Sequence, residues 1–117
     1  NNAFSDIPWL QIPCVGDIEN AAKISWHLYT LQINFVKLGR SRSEVMQQLR
    51  EQGVGTQVLY IPVHLQPFYR NSYGYKLGDF PVAERAYSRS LTLPLFPSLT
   101  DDEVRHVIDI VKKFVSN

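Results

Sequence analysis

The sequence is poor in cysteine and contains no long apolar run. Cys14 is its single cysteine, so the chain can form neither an internal disulfide nor a cysteine-rich metal site, which favours a reducing compartment. No apolar stretch approaches the roughly 20 residues that span a bilayer, and the N-terminus lacks the basic-then-apolar pattern of a signal peptide. We therefore expect a cytoplasmic chain with no membrane partner. Because it begins with Asn1 rather than methionine, we also expect a trimmed or incomplete polypeptide.

The chain also has little net charge and no clustered metal ligands. Its 12 basic and 11 acidic residues give a net charge of +1, which leaves no basic stripe for a nucleic-acid backbone. We therefore expect no nucleic-acid partner. His27, His64 and His106 are too far apart to form a local metal motif, and no metal site is predicted.

What is present is the composition and patterning of one soluble globular domain. Of its 117 residues, 44% are hydrophobic and 20% are charged, which is enough to bury a core. The periodicities predict an α+β fold, with a small, largely antiparallel sheet and helices packed on one face. The predicted elements are a strand at Ile24–Val36, a helix at Arg42–Gln52, a strand at Thr56–Ile61, a short helix at Val82–Ser88 after Pro81, a strand at Ser90–Leu93 and a helix at Thr100–Val115.

Two of the predicted helices carry a start signal in the sequence. In SRSE, Ser41 and Glu44 are spaced for a capping box, in which each side chain bonds the other residue's backbone amide. Thr100 and Glu103 have the same spacing in TDDE. The starts of these two helices are therefore predicted from sequence signals only four residues long.

The first 23 residues show neither helical nor strand periodicity. We predict that residues 1–23 are a connector and that residues 24–117 form the domain proper. In the connector, Trp9, Leu10 and Ile12 should cover one side of the core, and Asp17–Lys23 should form a turn. His27 alternates with large apolar residues in the strand that follows, which favours a structural role over a catalytic one.

The stretch Gly53–Tyr69, GVGTQVLYIPVHLQPFY, carries the clearest functional signal. Its two prolines deny a sheet its donors, so an exposed loop is predicted over Pro62–Phe80. Hydrogen-bonding side chains gathered on such a loop commonly build a ligand-contacting edge, and an ordinary proline-rich surface loop is the alternative. The residues gathered there are His64, Gln66, Tyr69 and Arg70.

Six segments occur in an ordered series that resembles one known protein family. They are Arg42–Val54, Gly55–His64, Tyr69, Ala83–Glu84, Leu91–Pro94 and Pro97–Thr100. The series resembles the C-terminal part of the DegT/DnrJ/StrS family of pyridoxal-phosphate-dependent sugar aminotransferases. That family has a helix R-x-E-L-x-x-x-L-x-x-x-G-I, then G-x-x-T-x-V-H-Y-x-P-x-H, a tyrosine, an AE helix and L-S-L-P-x-x-P-x-L-T. The segment YIPVHLQPFYR resembles most the sequences of the branch that aminates UDP-linked 4-keto-6-deoxy sugars on the route to pseudaminic acid.

The resemblance implies the small domain of a fold-type I aminotransferase, which supplies one wall of a site for a nucleotide-linked keto sugar. It implies Tyr60, His64 and Tyr69 as substrate-binding residues, because they match the family's Y-x-P-x-H and the tyrosine after it. Leu59 departs from the family, which has histidine there, so the role of that histidine is not carried over.

The resemblance also implies partners for this chain. We expect docking to a large domain or self-association through an apolar face, with Trp9, Phe68 and Phe96 as candidates. The connector would then lead from that large domain.

The cofactor of the full-length enzyme would be pyridoxal phosphate, but we expect no cofactor-binding and no catalytic residue in this chain. Its five lysines are Lys23, Lys37, Lys76, Lys112 and Lys113. None lies in the serine-rich, glycine-flanked setting of the family's Schiff-base lysine, and no phosphate-binding loop is present. The chain alone should therefore not transaminate.

The alternative is a stand-alone binding or interaction module that keeps the small-domain fold and uses Pro62–Phe80 as its surface. The length of the encoding reading frame distinguishes the two. An upstream segment with a Schiff-base lysine favours the enzyme, and a start codon just before Asn1 favours the module.

Overall fold

A small antiparallel sheet organises the chain. The computed structural model describes residues 1–13 and 24–116, and in them the sheet has three strands: β1, Leu10–Gln11; β2, Tyr29–Ile33; and β3, Ser90–Leu93. β2 lies in the middle, where Ile33 pairs with Leu10 on one side and Thr30 pairs with Thr92 on the other. The predicted α+β fold with a small antiparallel sheet is confirmed, and so is the predicted strand at Ser90–Leu93.

Five α-helices lie in the described residues. They are α1, Phe35–Leu38; α2, Arg42–Glu51; α3, Pro67–Tyr73; α4, Pro81–Arg89; and α5, Asp101–Val115. Both predicted capping boxes are present: the hydroxyl of Ser41 accepts from the amide of Glu44 before α2, and Thr100 and Glu103 do the same before α5. Pro81 occupies the first turn of α4, as predicted.

The core is built from the sheet, α2, α5 and the N-terminal residues. Its buried apolar side chains are Phe4, Ile7, Leu10, Leu31, Ile33, Phe35, Leu38, Val45, Leu49, Val54, Leu91, Leu93, Val111 and Val115. Trp9 and Ile12 pack against this cluster, so the prediction that Trp9, Leu10 and Ile12 cover the core is confirmed. The domain division at residue 23 stays a prediction, and the predicted Asp17–Lys23 turn lies outside the described residues.

The predicted strand at Ile24–Val36 is too long at both ends. Its first residues, Ile24–Leu28, are exposed and unpaired with the sheet. Tyr29 pairs with Leu93, so Leu28 would face Pro94, which has no N–H to extend the ladder. At the other end Asn34 caps α1, because its Oδ1 accepts from the amide of Lys37 at 3.2 Å.

The predicted strand at Thr56–Ile61 is wrong. The segment meets the sheet at one isolated antiparallel bridge, where the amides of Gln57 and Thr92 each donate to the other residue's carbonyl at 3.0 and 2.8 Å. In the antiparallel register set by Gln57 and Thr92, Leu59 would pair with Ser90, and Ile61 would face Ser88, which lies in α4 and not in β3. The carbonyl of Ser90 already accepts from the guanidinium of Arg42 at 3.3 Å, so the ladder has no further partner.

The predicted loop over Pro62–Phe80 is also wrong in its first part. A 3-10 turn at Val63–Leu65 leads into α3, in which Pro67 holds the first helical position. Proline is suited to that position because its fixed φ is helical and its missing N–H would have had no partner. Gly74 ends α3 at a φ of +72°, which a residue with a Cβ rarely adopts. No helix in the described residues is long and apolar enough to cross a bilayer.

Candidate functional site

The arm, residues 58–89 between the Gln57 bridge and β3, contributes no side chain to the hydrophobic core. His64 is its one buried residue, and neither α3 nor α4 contains any. Several large apolar side chains are therefore exposed on it, including Tyr60, Phe68, Tyr73 and Leu77. Polar contacts join its last helix to α2, because the guanidinium of Arg42 donates to the carbonyl of Tyr87 and lies 4.9 Å from the centroid of the Tyr87 ring.

Six aromatic rings form a continuous series along the arm. Tyr69 and Tyr73 are four residues apart in α3, so they lie on one face of the helix, and their rings stack with centroids 6.1 Å apart. Tyr73 stacks on Tyr75 at 6.0 Å, Tyr75 meets Phe80 edge-on at 5.5 Å, and Phe80 lies 4.7 Å from the ring of His64. Phe68 joins the other end, 5.3 Å from Tyr69.

These rings surround an open pocket of about 470 Å³, which we call the aromatic pocket. Its lining residues are Pro62, Val63, His64, Tyr69, Tyr73, Tyr75, Phe80 and Ala83. A mainly apolar wall with a few polar tips, here tyrosine hydroxyls and one imidazole, is typical of small-molecule sites. The rings could stack on a planar or apolar ligand face, while the hydroxyls and the imidazole could orient it.

His64, which lines this pocket, forms a largely buried pair with Glu84. Nε2 of His64 lies 2.9 Å from Oε1 of Glu84, and the two side chains are 7% and 14% exposed. The same carboxylate accepts from the amide of Gly78 at 2.9 and 3.0 Å and from the amide of Phe80 at 3.3 Å. Glu84 therefore joins the 3-10 turn, the loop after α3 and helix α4.

The hydrogen bonds decide the charge of Glu84. Its partial desolvation favours the neutral acid, but the hydrogen bonds from His64, Gly78 and Phe80 outweigh it, so the pKa of Glu84 lies below its ordinary value. An ionised carboxylate only accepts hydrogen bonds, so Nε2 of His64 must carry the proton that it donates.

Two of the three predicted substrate-binding residues lie together, and the third lies apart. His64 and Tyr69 both line the aromatic pocket. Tyr60 is 95% exposed and is not among the lining residues. Of the other gathered residues, Gln66 donates to the carbonyl of Ile61 at 3.3 Å, and Arg70 is exposed on α3.

Sequence reasoning missed four residues of this site: Tyr73, Tyr75, Phe80 and Glu84. The four-residue spacing of Tyr69 and Tyr73 would have signalled one helix face had α3 been predicted. The contact of Glu84 with the loop depends on a turn between Tyr75 and Phe80, in which Gly78 has a φ of +98°, and the sequence carries no direct sign of it.

A second depression of about 570 Å³ lies at the end of the sheet and contains the other two histidines. Nε2 of His106 lies 2.9 Å from the carbonyl of Gln52, while His27 is exposed at its edge. The expectation of a structural His27 in a buried strand is therefore wrong, because β2 begins only at Tyr29. His106 is occupied by a backbone bond, and this depression holds no comparable paired group.

The described residues do not fit pyridoxal phosphate. Lys37, Lys76, Lys112 and Lys113 are all exposed, and Lys23 lies outside the described residues. A Schiff-base lysine needs a pocket that also holds the cofactor's phosphate and ring, and none of these four surface lysines lies in one. These four lysines therefore provide no site for the cofactor in the described part of the chain.

The sequence matches the DegT/DnrJ/EryC1/StrS aminotransferase family over residues 1–112. The chain belongs to this family. It is 45% identical over 114 residues to the spore coat polysaccharide biosynthesis protein SpsC of Bacillus subtilis, a match that covers 97% of this chain and 28% of SpsC. The match to DesV of S. venezuelae, solved in complex with a ketimine intermediate, has a TM-score of 0.81 at 27% identity and covers 99% of this chain and 29% of that one.

The fold is also that of Helicobacter pylori PseC, an aminotransferase involved in the biosynthesis of pseudoaminic acid. That match has a TM-score of 0.75 at 19% identity and covers 97% of this chain and 29% of PseC. The family membership confirms the predicted resemblance at the level of the family and of its small-domain fold. The chain spans less than a third of the length of these relatives.

Proposed function

We propose that this chain acts as the small domain of a pyridoxal-phosphate-dependent aminotransferase that aminates a UDP-linked 4-keto-6-deoxy sugar. A large domain would bring the cofactor, the Schiff-base lysine and the opposite wall of the site. The family match and the chain's short span relative to SpsC and DesV support this division. The polysaccharide biosynthesis named for SpsC supports a sugar substrate. The assignment to the pseudaminic acid branch rests on the resemblance of the segment YIPVHLQPFYR.

The observation that carries the proposal is the aromatic pocket with His64 and Tyr69 in its wall. Both residues were expected to bind substrate from the motif series, and they meet in a pocket that also contains three further aromatic rings. The rings suit the flat and apolar faces of a nucleotide sugar, and the imidazole and hydroxyls suit its polar edges. Tyr60 would contact the substrate only if a second surface brings the ligand to its exposed ring.

A chimera tests the assignment of function. This chain would replace the matching 28% of SpsC, and amino transfer from glutamate to a UDP-linked 4-keto-6-deoxy sugar would be measured with unmodified SpsC as reference. We expect the chimera to be active and the isolated chain to be inactive. Borohydride reduction of the isolated chain with pyridoxal phosphate should label no single lysine stoichiometrically.

Two results would contradict the proposal. Turnover by the isolated chain would show that the division between two domains is wrong. An inactive chimera beside an active reference would mean that this chain does not perform the small-domain role. A reference that ignores this sugar but aminates another would correct the substrate class.

Single substitutions in the chimera test the site. His64→Ala should raise the KM for the sugar nucleotide, because loss of one buried hydrogen bond costs about 1–3 kcal/mol, roughly 5-fold to 150-fold in affinity. Cofactor binding should not change. His27→Ala is the matched control, since His27 is exposed and lies outside the aromatic pocket. Equal KM values for the two variants would remove His64 from the site.

The alternative is a stand-alone interaction module that uses the exposed face of the arm, where Phe68 is 65% exposed. In that case the residues around the aromatic pocket would bind a partner without any nucleotide sugar. Docking to a large domain and self-association are both proposed through such exposed apolar side chains. Phe96 is a second candidate at 46% exposure, whereas Trp9 packs against the core and is a poorer one.

A further inference from the structure

Glu84 is the polar group around which the aromatic pocket is assembled. Its Oε1 lies within hydrogen-bond distance of Nε2 of His64, the amide of Gly78 and the amide of Phe80, at 2.9, 2.9 and 3.3 Å. Its Oε2 accepts a further bond from Gly78 at 3.0 Å. One carboxylate therefore positions an imidazole and a backbone turn that are far apart in the sequence.

The turn held by Glu84 carries one side of the pocket. Phe80 follows it directly and packs 4.7 Å from His64, and Tyr75 precedes it and packs 5.5 Å from Phe80. The side chain of Asp79 closes the same turn by accepting from the amide of Lys76 at 2.9 Å. Since α3 and α4 bury no residue, these hydrogen bonds contribute much of the stability of this side of the aromatic pocket.

The pairing also fixes which nitrogen of His64 can meet a ligand. Nε2–H is used by the carboxylate, and Nδ1 has no hydrogen-bond partner among the described residues. In the neutral ring, Nδ1 is then an acceptor. It would recognise a hydroxyl or N–H group of the ligand.

We propose that Glu84 is a positioning residue for the ligand site: it holds His64 in the Nε2–H tautomer and pins the Gly78–Phe80 turn, so that Nδ1 and the aromatic wall are set for binding. This inference rests on the proposed function for the identity of the ligand, a uridine nucleotide sugar. The arrangement of a carboxylate that orients an imidazole is a common way to define a histidine's tautomer.

Glu84→Gln is the informative variant because it keeps the size of the side chain and removes the charge. The amide is neutral, so its oxygen is a weaker acceptor than Oε1 of Glu84, and its NH2 group can donate to Nε2 in the other tautomer of His64. Arg85→Gln is the matched control, since Arg85 is exposed on the same helix. Glu84 is not part of the hydrophobic core, and the methyl signals of Leu49 and Val111 report whether that core stays folded.

Nuclear magnetic resonance on the 117-residue chain with 15N-labelled histidine reads the tautomer directly at pH 8, where free imidazole is neutral. We expect wild type and Arg85→Gln to show His64 as one Nε2–H tautomer. Glu84→Gln should show a tautomer mixture and shifted amide signals for Gly78 and Phe80. Titration with uridine diphosphate should perturb His64 in wild type, and Glu84→Gln should weaken this binding by about tenfold.

The outcomes separate the inference from the proposed function. Wild-type binding of uridine diphosphate with an unchanged tautomer or unchanged affinity in Glu84→Gln overturns the inference and leaves the function standing. No perturbation of His64 by uridine diphosphate in wild type refutes the ligand assignment, and Glu84 would then be a structural tie only. Glu84→Asp, which keeps the charge but is shorter, should restore the tautomer in part, whereas a purely steric role predicts that it behaves worse than glutamine.

Discussion

The end of α5 is held by side chains from distant parts of the chain, and this makes a strong test of the fold. The last carbonyls of a helix have no partner within the helix. Here the indole Nε1–H of Trp9 donates to the carbonyl of Val115 at 2.7 Å, and the guanidinium of Arg40 donates to the carbonyl of Phe114 at 3.0 Å. Trp9 thus ties the N-terminal residues to the C-terminal helix.

Trp9→Phe removes this donor and keeps an aromatic ring in place. The carbonyl of Val115 would lose its bond in a partly buried setting, which costs about 1–3 kcal/mol. With a urea m-value of about 2 kcal/mol per molar, a loss of about 2 kcal/mol lowers the unfolding midpoint by about 1 M. Urea titration followed by circular dichroism measures it.

The control is Trp26→Phe, because Trp26 is 42% exposed and precedes β2. We expect this variant to change the midpoint by less than about 0.3 M. If Trp9→Phe lowered the midpoint by no more than Trp26→Phe, the bond from Trp9 to Val115 would not contribute measurably to stability.

Two further predictions concern the core and the helix caps. Leu49→Ala should destabilise the chain by about 2–5 kcal/mol because Leu49 is fully buried, whereas Leu77→Ala, 75% exposed on the arm, should change little in the same urea titration. Hydrogen bonds from the N-cap residues lower the pKa of Glu44 and of Glu103. Their stabilisation is therefore complete above the ordinary glutamate pKa, about 4.3, and is lost as the pH falls through the lower folded-state values. Combining Glu44→Gln with Glu103→Gln should make the melting temperature fall less steeply as the pH is lowered, whereas Glu51→Gln, outside the caps, should leave the fall as it is in the wild type. The same dependence of melting temperature on pH in the wild type and in both variants would contradict the capping account.

The starts of α2 and α5 could be predicted because their signals are local. The bonds between Ser41 and Glu44, and between Thr100 and Glu103, join residues three apart, so spacing alone specifies them. In the last helix, apolar residues recur at the helical period, and this pattern predicts which face of the helix is buried. These elements need no knowledge of what lies across the sheet.

Strand ends could not be predicted because they depend on partners. Residues 24–28 have the same aromatic and β-branched character as β2, but β3 ends beside Pro94 and offers no further pairing. The two prolines after Ile61 predict a loop, although Pro67 serves as a helix start. Proline restricts a backbone without saying which of its permitted structures will form.

The candidate site shows the same division between local and distant information. A motif predicts Tyr60, His64 and Tyr69 as substrate-binding residues; His64 and Tyr69 line the aromatic pocket and Tyr60 does not, and substrate binding by all three stays a prediction. Glu84 was visible only as part of an AE pair, because its bonds to His64 and Gly78 cross 20 and 6 residues. A pocket made by a helix, a turn and a second helix has no continuous sequence signature.

The shape of the aromatic pocket argues for a second wall. Small-molecule sites usually cover about 70–90% of their ligand, which an open pocket cannot do alone. Tyr73 in its lining is 64% exposed, and Phe68, which packs against Tyr69, is 65% exposed. Covering them would bury apolar area and close the pocket in one step, so docking and ligand binding should favour each other. We therefore predict that the isolated chain binds a nucleotide weakly and that its affinity rises when a large domain is supplied.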